Sequence, residues 1–464
     1  MKNLFLAVVA VLLLAGCDNG AKYKMVDGTI ICQVPERQAA QQDMIGYAAE
    51  PIDTVRVGFI GLGMRGPGAV RRWCQIEGTE IIALCDLNPE GIAKSQGYIA
   101  AAGRKPAAEY CGDENAWKEV CERNDIDLIY IMTGWQTHAQ MALYAMECGK
   151  HVAIEVPAAM SMDEIWALID TSERTRKHCI QLENCVYDRF EMTALNMAQQ
   201  GLFGEILHTE GAYIHCLDEY WDRYHNNWRL DFNQKHRGDV YPTHGIGPIC
   251  QVLNIHRGDR MKTLVAMDTK AASGGKHWQA VTGNQCDSFA CGDQTTTLIR
   301  TEKGKVIQLH HNVMTPRPYS RDYALVGTDG YAAKYPAEGF LLREKALEDS
   351  EIDIENLNSH KFVPQHIKEQ LMQKYKHPVT AHTEVMAAKV GGHGGMDYIM
   401  DYRLVYCLRN GLPLDMDVYD LAEWCCPIEL SAVSIEHNSA PVAIPDFTRG
   451  GWQKLSGYKH YWAE

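Results

Sequence analysis

Residues 55–66 constrain this chain more than any other stretch. They read Val55-Arg-Val-Gly-Phe-Ile-Gly61-Leu-Gly63-Met64-Arg65-Gly66, and an acid, Asp86, follows twenty residues after Gly66. Val55, Val57, Phe59 and Ile60 make the short apolar run of a buried parallel strand. Gly61 permits a tight turn, Gly63 lets backbone approach a pyrophosphate, and Gly66 lets the next helix pack closely on the strand. The helix N-terminus then presents free N–H groups and partial positive charge to phosphates. Glu80–Asp86 is a second strand, and its terminal carboxylate can accept hydrogen bonds from ribose hydroxyls while repelling a 2′-phosphate. A lone G-x-G-x-x-G can be an ordinary turn. Here strand, turn, helix, strand and acid agree, and they predict a dinucleotide site that prefers NAD to NADP.

Met1–Cys17 reads as a targeting segment, with Lys2 before an apolar run from Leu4 to Leu14. Leu14-Ala15-Gly16-Cys17 has the form of a bacterial lipobox, with cleavage before Cys17 and acylation of its thiol. The run is too short for a comfortable membrane span. An uncleaved anchor is the other reading, and both export the protein, so the expected membrane link is the lipid anchor alone. The 464 residues leave room for two domains, and a formal charge of −14 argues against nucleic acid as a partner. Of 16 cysteines, Cys17 is assigned to the leader. The others are scattered without a C-x-x-C pair, so no metal site is expected and most should be buried small apolar residues.

Residues 18–53 read as a polar, irregular tether ending against the first domain. Residues 54–185 alternate strands with helical patterns, as in a doubly wound α/β Rossmann domain. Strands are expected at 127–133, 151–155 and 179–184. Helices are expected at 139–148, capped by Gly149, and at 161–178, opened by the capping box Ser161-Met-Asp-Glu164. Residues 186–464 change character. A helix at 191–200 is followed by strand-like stretches at 205–215, 262–270, 294–301, 305–313 and 321–327. This predicts an α+β domain with an open, largely antiparallel sheet. Charged residues 341–375 suggest surface helices, and further helices are expected at 396–409 and 418–434.

Thr133-Gly-Trp135-Gln136-Thr137-His138 lies at the C-terminal end of a strand, where ligands sit in such sheets. Trp135 is placed to stack on the nicotinamide or adenine side, or else to pack on the next helix. His138 is placed for the ribose or pyrophosphate. Tyr241-Pro-Thr-His244-Gly is a turn-rich segment presenting Tyr and His together, and histidine suits proton transfer near neutral pH. Arg229 can orient a sugar hydroxyl or amide, or form a surface ion pair. Tyr213 can be a ligand or a sheet-face aromatic. His393, in Gly391-Gly-His393-Gly-Gly395, is a candidate for the site rim.

Glu155-Val156-Pro157 ends the next strand. With the glycine turn and Asp86, it resembles the Gfo/Idh/MocA oxidoreductase superfamily, whose dehydrogenases usually carry Glu-Lys-Pro. Val156 replaces that lysine and can neither donate nor accept a proton. Val156-Pro-Ala-Ala, Leu182-Glu-Asn184-Cys-Val-Tyr187-Asp-Arg189, Gln200-Gly-Leu-Phe-Gly-Glu205, Trp228-Arg229, Tyr241-Pro-Thr-His244-Gly and Pro316-Arg-Pro-Tyr319-Ser-Arg321 resemble glycoside hydrolase family 109, NAD-dependent α-N-acetylgalactosaminidases.

That resemblance implies cofactor contacts at Met64, Arg65, Asp86, Trp135, Gln136, Thr137, His138, Glu155, Val156 and Asn184, beside the glycines 61, 63 and 66. It implies sugar contacts at Tyr213, Arg229, Tyr241, His244 and Tyr319, with Tyr323 close by as the alternative to Tyr319. Gln136 and Thr137 stand where Glu and Trp often occur. The implied chemistry is transient oxidation at C3 of an α-linked N-acetylgalactosamine or related sugar, elimination across C1–C2, and water addition, with His244 and Tyr241 moving protons. NAD-dependent glycosidases are exceptions to the usual two-carboxylate scheme. The competing expectation is a net sugar oxidoreductase on the same fold. Face-to-face pairing of open sheets makes a homodimer the expected assembly.

Overall fold

The computed structural model describes residues 22–348, 352 and 357–460. The lipobox segment lies outside the described residues. Residues 23–32, expected as irregular tether, instead form a hairpin. Strands β1 (Tyr23–Val26) and β2 (Thr29–Cys32) pair antiparallel across Asp27–Gly28, both with positive φ. Asp-Gly is the dipeptide that accepts two left-handed residues in a two-residue hairpin turn.

The first sheet follows in order: β3 (Val55–Ile60), α1 (Gly66–Trp73), β4 (Thr79–Asp86), α2 (Pro89–Ala101), β5 (Ala108–Cys111), α3 (Ala116–Glu122), β6 (Leu128–Ile131), α4 (Trp135–Glu147), β7 (His151–Ile154), α5 (Met162–Thr175) and β8 (Cys179–Gln181). Its six strands are all parallel, in the order β5-β4-β3-β6-β7-β8. Strand order reverses between β3 and β6, so the crevice beyond their carboxyl ends is the ligand position of a doubly wound fold. Helix α5 is opened by the Ser161 hydroxyl, which accepts from the Glu164 N–H at 3.3 Å, but the Glu164 carboxylate accepts from the Met160 N–H (2.7 Å), so only half of the expected capping box forms.

The second unit contains α6 (Arg189–Gln199), β9 (Ile206–Ile214), α7 (Trp228–Lys235), α8 (Thr243–Leu253), β10 (Met261–Asp268), α9 (Gly274–Thr282), β11 (Thr295–Thr301), β12 (Val306–Asn312), β13 (Ala324–Gly327), β14 (Gly330–Ala333) and β15 (Gly339–Leu342). Helices α10 (Gln365–Lys374), α11 (Pro378–Val390), α12 (Met396–Asn410), α13 (Val418–Cys425) and α14 (Pro427–Glu436) and strand β16 (Val442–Ala443) complete it. The sheet order is β1-β2-β16-β10-β11-β12-β9-β13-β14-β15. Its pairs are antiparallel except β12/β9 and β16/β2, so the expectation of a largely antiparallel sheet holds. The supposed tether is therefore one edge of this sheet.

The expected helix at 418–434 is two helices, because Pro427 starts the second one, where its missing N–H breaks no helical bond. Of the charged stretch 341–375, Gln365–Lys374 forms an α-helix and Glu344–Ala346 a single 3₁₀ turn. The fifteen described cysteines are all free thiols, most of them buried.

The contact between α8 and β9 positions the site. A Cβ on Gly245 would lie 2.5 Å from the Ala212 amide nitrogen, and one on Gly211 would lie 2.4 Å from the Gly245 carbonyl oxygen. Helix and strand thus meet backbone to backbone. His244 and Tyr213 flank that contact, so glycine at 245 and 211 fixes their separation.

Candidate functional site

The glycine turn has the geometry its sequence predicts. Gly61 has φ +90°, and a Cβ there would lie 2.6 Å from the Met132 carbonyl carbon; a Cβ on Gly66 would lie 2.5 Å from the Gly61 oxygen. A Cβ on Gly63 would meet nothing within 4 Å and would stand in open space. Only at that position does the missing side chain leave room for a ligand rather than for the fold. The Asp86 carboxylate accepts from the Leu62 N–H and from the Asn88 N–H (2.7 Å), which holds it at the rim of the turn. Met64, in the turn itself, is exposed. The cradle fits a dinucleotide: backbone N–H groups and a helix N-terminus for the pyrophosphate, and Asp86 for the ribose.

Arg65 leads from the turn to a second cluster. Its guanidinium lies 3.4 Å from Glu155 and 3.7 Å from Asp397, and its Nη1 lies 3.1 Å from His393 Nδ1. Asp397 also accepts from Asn184 Nδ2 (2.6 Å), pairs with Arg72 (3.5 Å) and lies 3.0 Å from His393 Nδ1. Burial would raise the Asp397 pKa, but His393, Arg65 and Arg72 hold it well below the ordinary carboxylate range. Arg65, Glu155 and Asn184, all expected at the cofactor, are thus joined through a buried carboxylate on α12. Nothing in the sequence pattern singles out Asp397, and only the docking of α12 reveals it.

Other expected cofactor residues have different surroundings. Both ring nitrogens of His138 face backbone carbonyls, Pro157 at 2.8 Å and Thr133 at 3.0 Å, and the ring is buried. It braces the loop and has no free nitrogen for a ribose. The Thr137 hydroxyl donates to the Gly134 carbonyl (2.9 Å), while Gln136 is exposed. Trp135 is buried among Trp228, Phe232 and Tyr241, with ring centroids 5.0, 5.4 and 5.6 Å away. Val156 belongs to the same apolar wall.

The residues expected on the sugar side converge on that wall. Tyr241 lies 4.3 Å from Tyr213 and 5.0 Å from His244, centroid to centroid. Arg229 is buried with its guanidinium 4.9 to 5.7 Å from the rings of Trp135, Tyr241, Tyr224 and Tyr213. It donates to the Tyr224 and Tyr213 hydroxyls at 2.7 and 3.2 Å. Among the described residues it has no carboxylate partner, so the surface ion pair weighed for it does not occur. Tyr319 is exposed at the rim, 5.4 Å from His215, which itself neighbours Tyr213. Tyr323 is buried and turned toward Glu191, which separates the two tyrosines.

Glu183 is absent from the sequence-based set. Its fully buried carboxylate lies 2.7 and 2.9 Å from His244 Nδ1 and accepts from the Cys185 N–H at 3.0 Å. The Tyr241 hydroxyl sits 3.4 Å from His244 Nε2. The available signal was an acid beside Asn184 at the end of a core strand.

The sequence model of a family described as "Glycosyl hydrolase 109, C-terminal domain" matches residues 187–454, and that of the "Oxidoreductase family, NAD-binding Rossmann fold" matches residues 55–182. Glycosyl hydrolase family 109 protein 1 of Bacteroides thetaiotaomicron is 62% identical over 467 aligned positions, covering 100% of both chains. The chain belongs to glycosyl hydrolase family 109. A second member, from Porphyromonas gingivalis, is 64% identical over 445 positions and covers 95% of each chain. In fold, this family 109 chain is similar to a levoglucosan dehydrogenase in complex with NADH (TM-score 0.59, 16% identity, 84% of this chain and 99% of that one). It is also similar to the WlbA dehydrogenase from Bordetella pertussis in complex with NADH and UDP-GlcNAcA (TM-score 0.58, 15% identity, 86% and 99%). It is an enzyme of a glycosidase family carrying an NAD-binding domain.

Proposed function

We propose that this protein releases terminal α-linked N-acetylgalactosamine, or a closely related sugar, from glycans by transient oxidation and elimination. The observation that carries the reading is one continuous wall in which Val156 stands beside Trp135, Tyr213 and Tyr241, with His244 against Tyr241. The wall offers proton-transfer groups and lacks the lysine of the related dehydrogenases.

The bound dinucleotide would be held by the turn at Gly61–Gly66, by Asp86 and by the Arg65–Glu155–Asn184 group, and it supplies a hydride acceptor that returns the hydride in each cycle. Everything else falls to side chains of this chain. Arg229, a buried cation with hydroxyl partners and no carboxylate among the described residues, is suited to a neutral polar acceptor such as a sugar hydroxyl or amide oxygen. Tyr241 and His244 are suited to take the proton from the C3 hydroxyl and the C2–H of a 3-keto sugar. The C2 electron pair then forms the C1–C2 double bond as the C1–O bond breaks. Water adds at C1 and a proton returns to C2. The leaving oxygen points toward the glycan and hence toward solvent. His393, an exposed imidazole on a glycine-flanked strap beside Arg65, is suited to serve it.

The test is turnover of p-nitrophenyl α-N-acetylgalactosaminide in D₂O. Free sugar with deuterium at C2 and no net NADH supports the mechanism. Release without C2 exchange removes it and leaves hydrolysis. NADH accumulating from free sugar, without release, would make the protein a net oxidoreductase. We further propose export as a lipoprotein through Cys17, tested by loss of lipid labelling in Cys17→Ser. A homodimer through the outer face of the large sheet, where Met267 and Leu298 are exposed, is tested by light scattering.

A further inference from the structure

We propose that Glu183 is the positioning residue of this site: it fixes His244 as the tautomer protonated on Nδ1 and leaves Nε2, the nitrogen facing Tyr241, as the atom that exchanges protons. The inference rests on the function proposed above and concerns the same site.

An ionised carboxylate only accepts hydrogen bonds. With both Glu183 oxygens within 2.9 Å of His244 Nδ1, that nitrogen must be the donor. Burial would keep Glu183 neutral, but the His244 contact and the Cys185 N–H hold its pKa below the ordinary value, so the acceptor form is the one present. Nε2 is then bare in the neutral ring and can accept a proton. The Tyr241 hydroxyl, 3.4 Å away, is its neighbour on the site side.

The scaffold around Glu183 is built for this. It stands two residues beyond the end of β8, and its side chain is wholly buried. Its stem passes Gly247, one turn beyond His244 on α8; a Cβ there would stand 3.0 Å from Glu183 Cγ and 3.3 Å from Trp424 Cε3. Glycine at 247 thus leaves room for the carboxylate under the imidazole. A buried acid needed only for packing would not require its charge to meet one ring nitrogen. Orientation of a catalytic imidazole by a buried carboxylate is an established device, and its loss to the amide costs about 10⁴-fold in turnover in the serine protease template.

The experiment uses the NAD-loaded full-length enzyme. Glu183→Gln keeps the shape and removes the obligatory acceptor. The expected result is a fall in kcat of about 10³-fold or more, with KM changed by less than about threefold and NAD content unchanged. Glu183→Asp should restore part of the loss. In a His244→Ala background, Glu183→Gln should cost nothing further, because the two act as a unit. Equal losses in both backgrounds would overturn the proposal. So would a wild-type ¹⁵N-histidine spectrum showing His244 protonated on Nε2 alone. The spectrum needs no substrate and no folded variant, so it decides the tautomer even if no glycoside is turned over, which would count against the proposed function instead.

Discussion

Replacing Gly245 by alanine tests whether the helix–strand contact sets the geometry of the site. The new Cβ would lie 2.5 Å from Ala212 N, 2.9 Å from Gly211 C and 3.0 Å from Ala212 Cα. Carbon contacts normally settle at about 3.5–4.0 Å, so α8 must retreat from β9 by about 1 Å. The atoms in the way are backbone and cannot rotate aside. Overpacking of this kind costs roughly 1–3 kcal/mol, and it acts against the gain of up to about 1 kcal/mol that alanine normally brings to a helix. The retreat carries His244 away from Tyr213, whose ring is now 5.5 Å off. A misplacement of about 1 Å at reacting groups costs roughly 10²-fold in rate, or about 2.7 kcal/mol of barrier. Urea unfolding followed by tryptophan fluorescence and kcat/KM for p-nitrophenol release measure the two losses. Gly63→Ala is the contrast. Its Cβ would meet nothing within 4 Å, so stability should hold within about 0.5 kcal/mol while NAD retention falls. A Gly245→Ala enzyme as stable and as active as the parent would refute the account of how α8 and β9 meet.

Arg229→Met should leave stability unchanged or raise it, since the guanidinium is buried without a carboxylate, yet it should cut kcat/KM by about 10²-fold; thermal melts and kinetics separate the two. His393→Ala should fold normally, because the imidazole is exposed, and should slow release of poor leaving groups more than of p-nitrophenol, as a series of aryl and alkyl glycosides would show. His256 is buried; burial and Arg257 lower its pKa, but Asp417, Glu423 and Asp420 outweigh them and hold it at about 10 against an ordinary 6.5. Its contribution is full below about pH 6.5 and is lost as pH rises through about 10, because the native state binds more protons in that window. Urea unfolding at intervals from pH 6 to 10 should show that decline, and His256→Gln should flatten it.

What could be read in the sequence was what short-range geometry decides. Gly61 and Gly66 each answer a local steric demand, and the spacing to Asp86 follows from one strand–helix–strand unit, so the turn and the first sheet were legible. The parallel pairing of β9 with β12 was not, because nothing in two alternating strands separated by almost a hundred residues states their relative direction. The hairpin at 23–32 did carry a signal, Asp27–Gly28, but four-residue strands give too few alternations to stand out from a polar segment. His138 looked like a ribose ligand because its loop is in the right place, and only the Pro157 and Thr133 carbonyls show where its nitrogens go. Glu183 and Asp397 were hidden for one reason: each acts across an interface between elements distant in the chain, Glu183 on α8 and Asp397 on Asn184 and Arg65.

Those two carboxylates also bear on how the site and the fold depend on each other. Asp397, on α12, gathers Arg65 from the glycine turn, Arg72 from α1 and Asn184 from the end of the first sheet. Glu183, at the end of that sheet, reaches the other way to His244 on α8. The group proposed to hold the cofactor is therefore completed by the second unit, and the group proposed for proton transfer by the first. Neither half presents a finished site before the two sheets have docked, and a buried charge left unpartnered by undocking is costly. On the proposed site, cofactor binding and docking would be coupled by the same contacts, because a ligand engaging Arg65 and Asn184 would engage groups that Asp397 already holds. The reaction proposed above returns its hydride in every cycle and would need a cofactor that stays rather than one that exchanges, which an interlock across the domain boundary would favour.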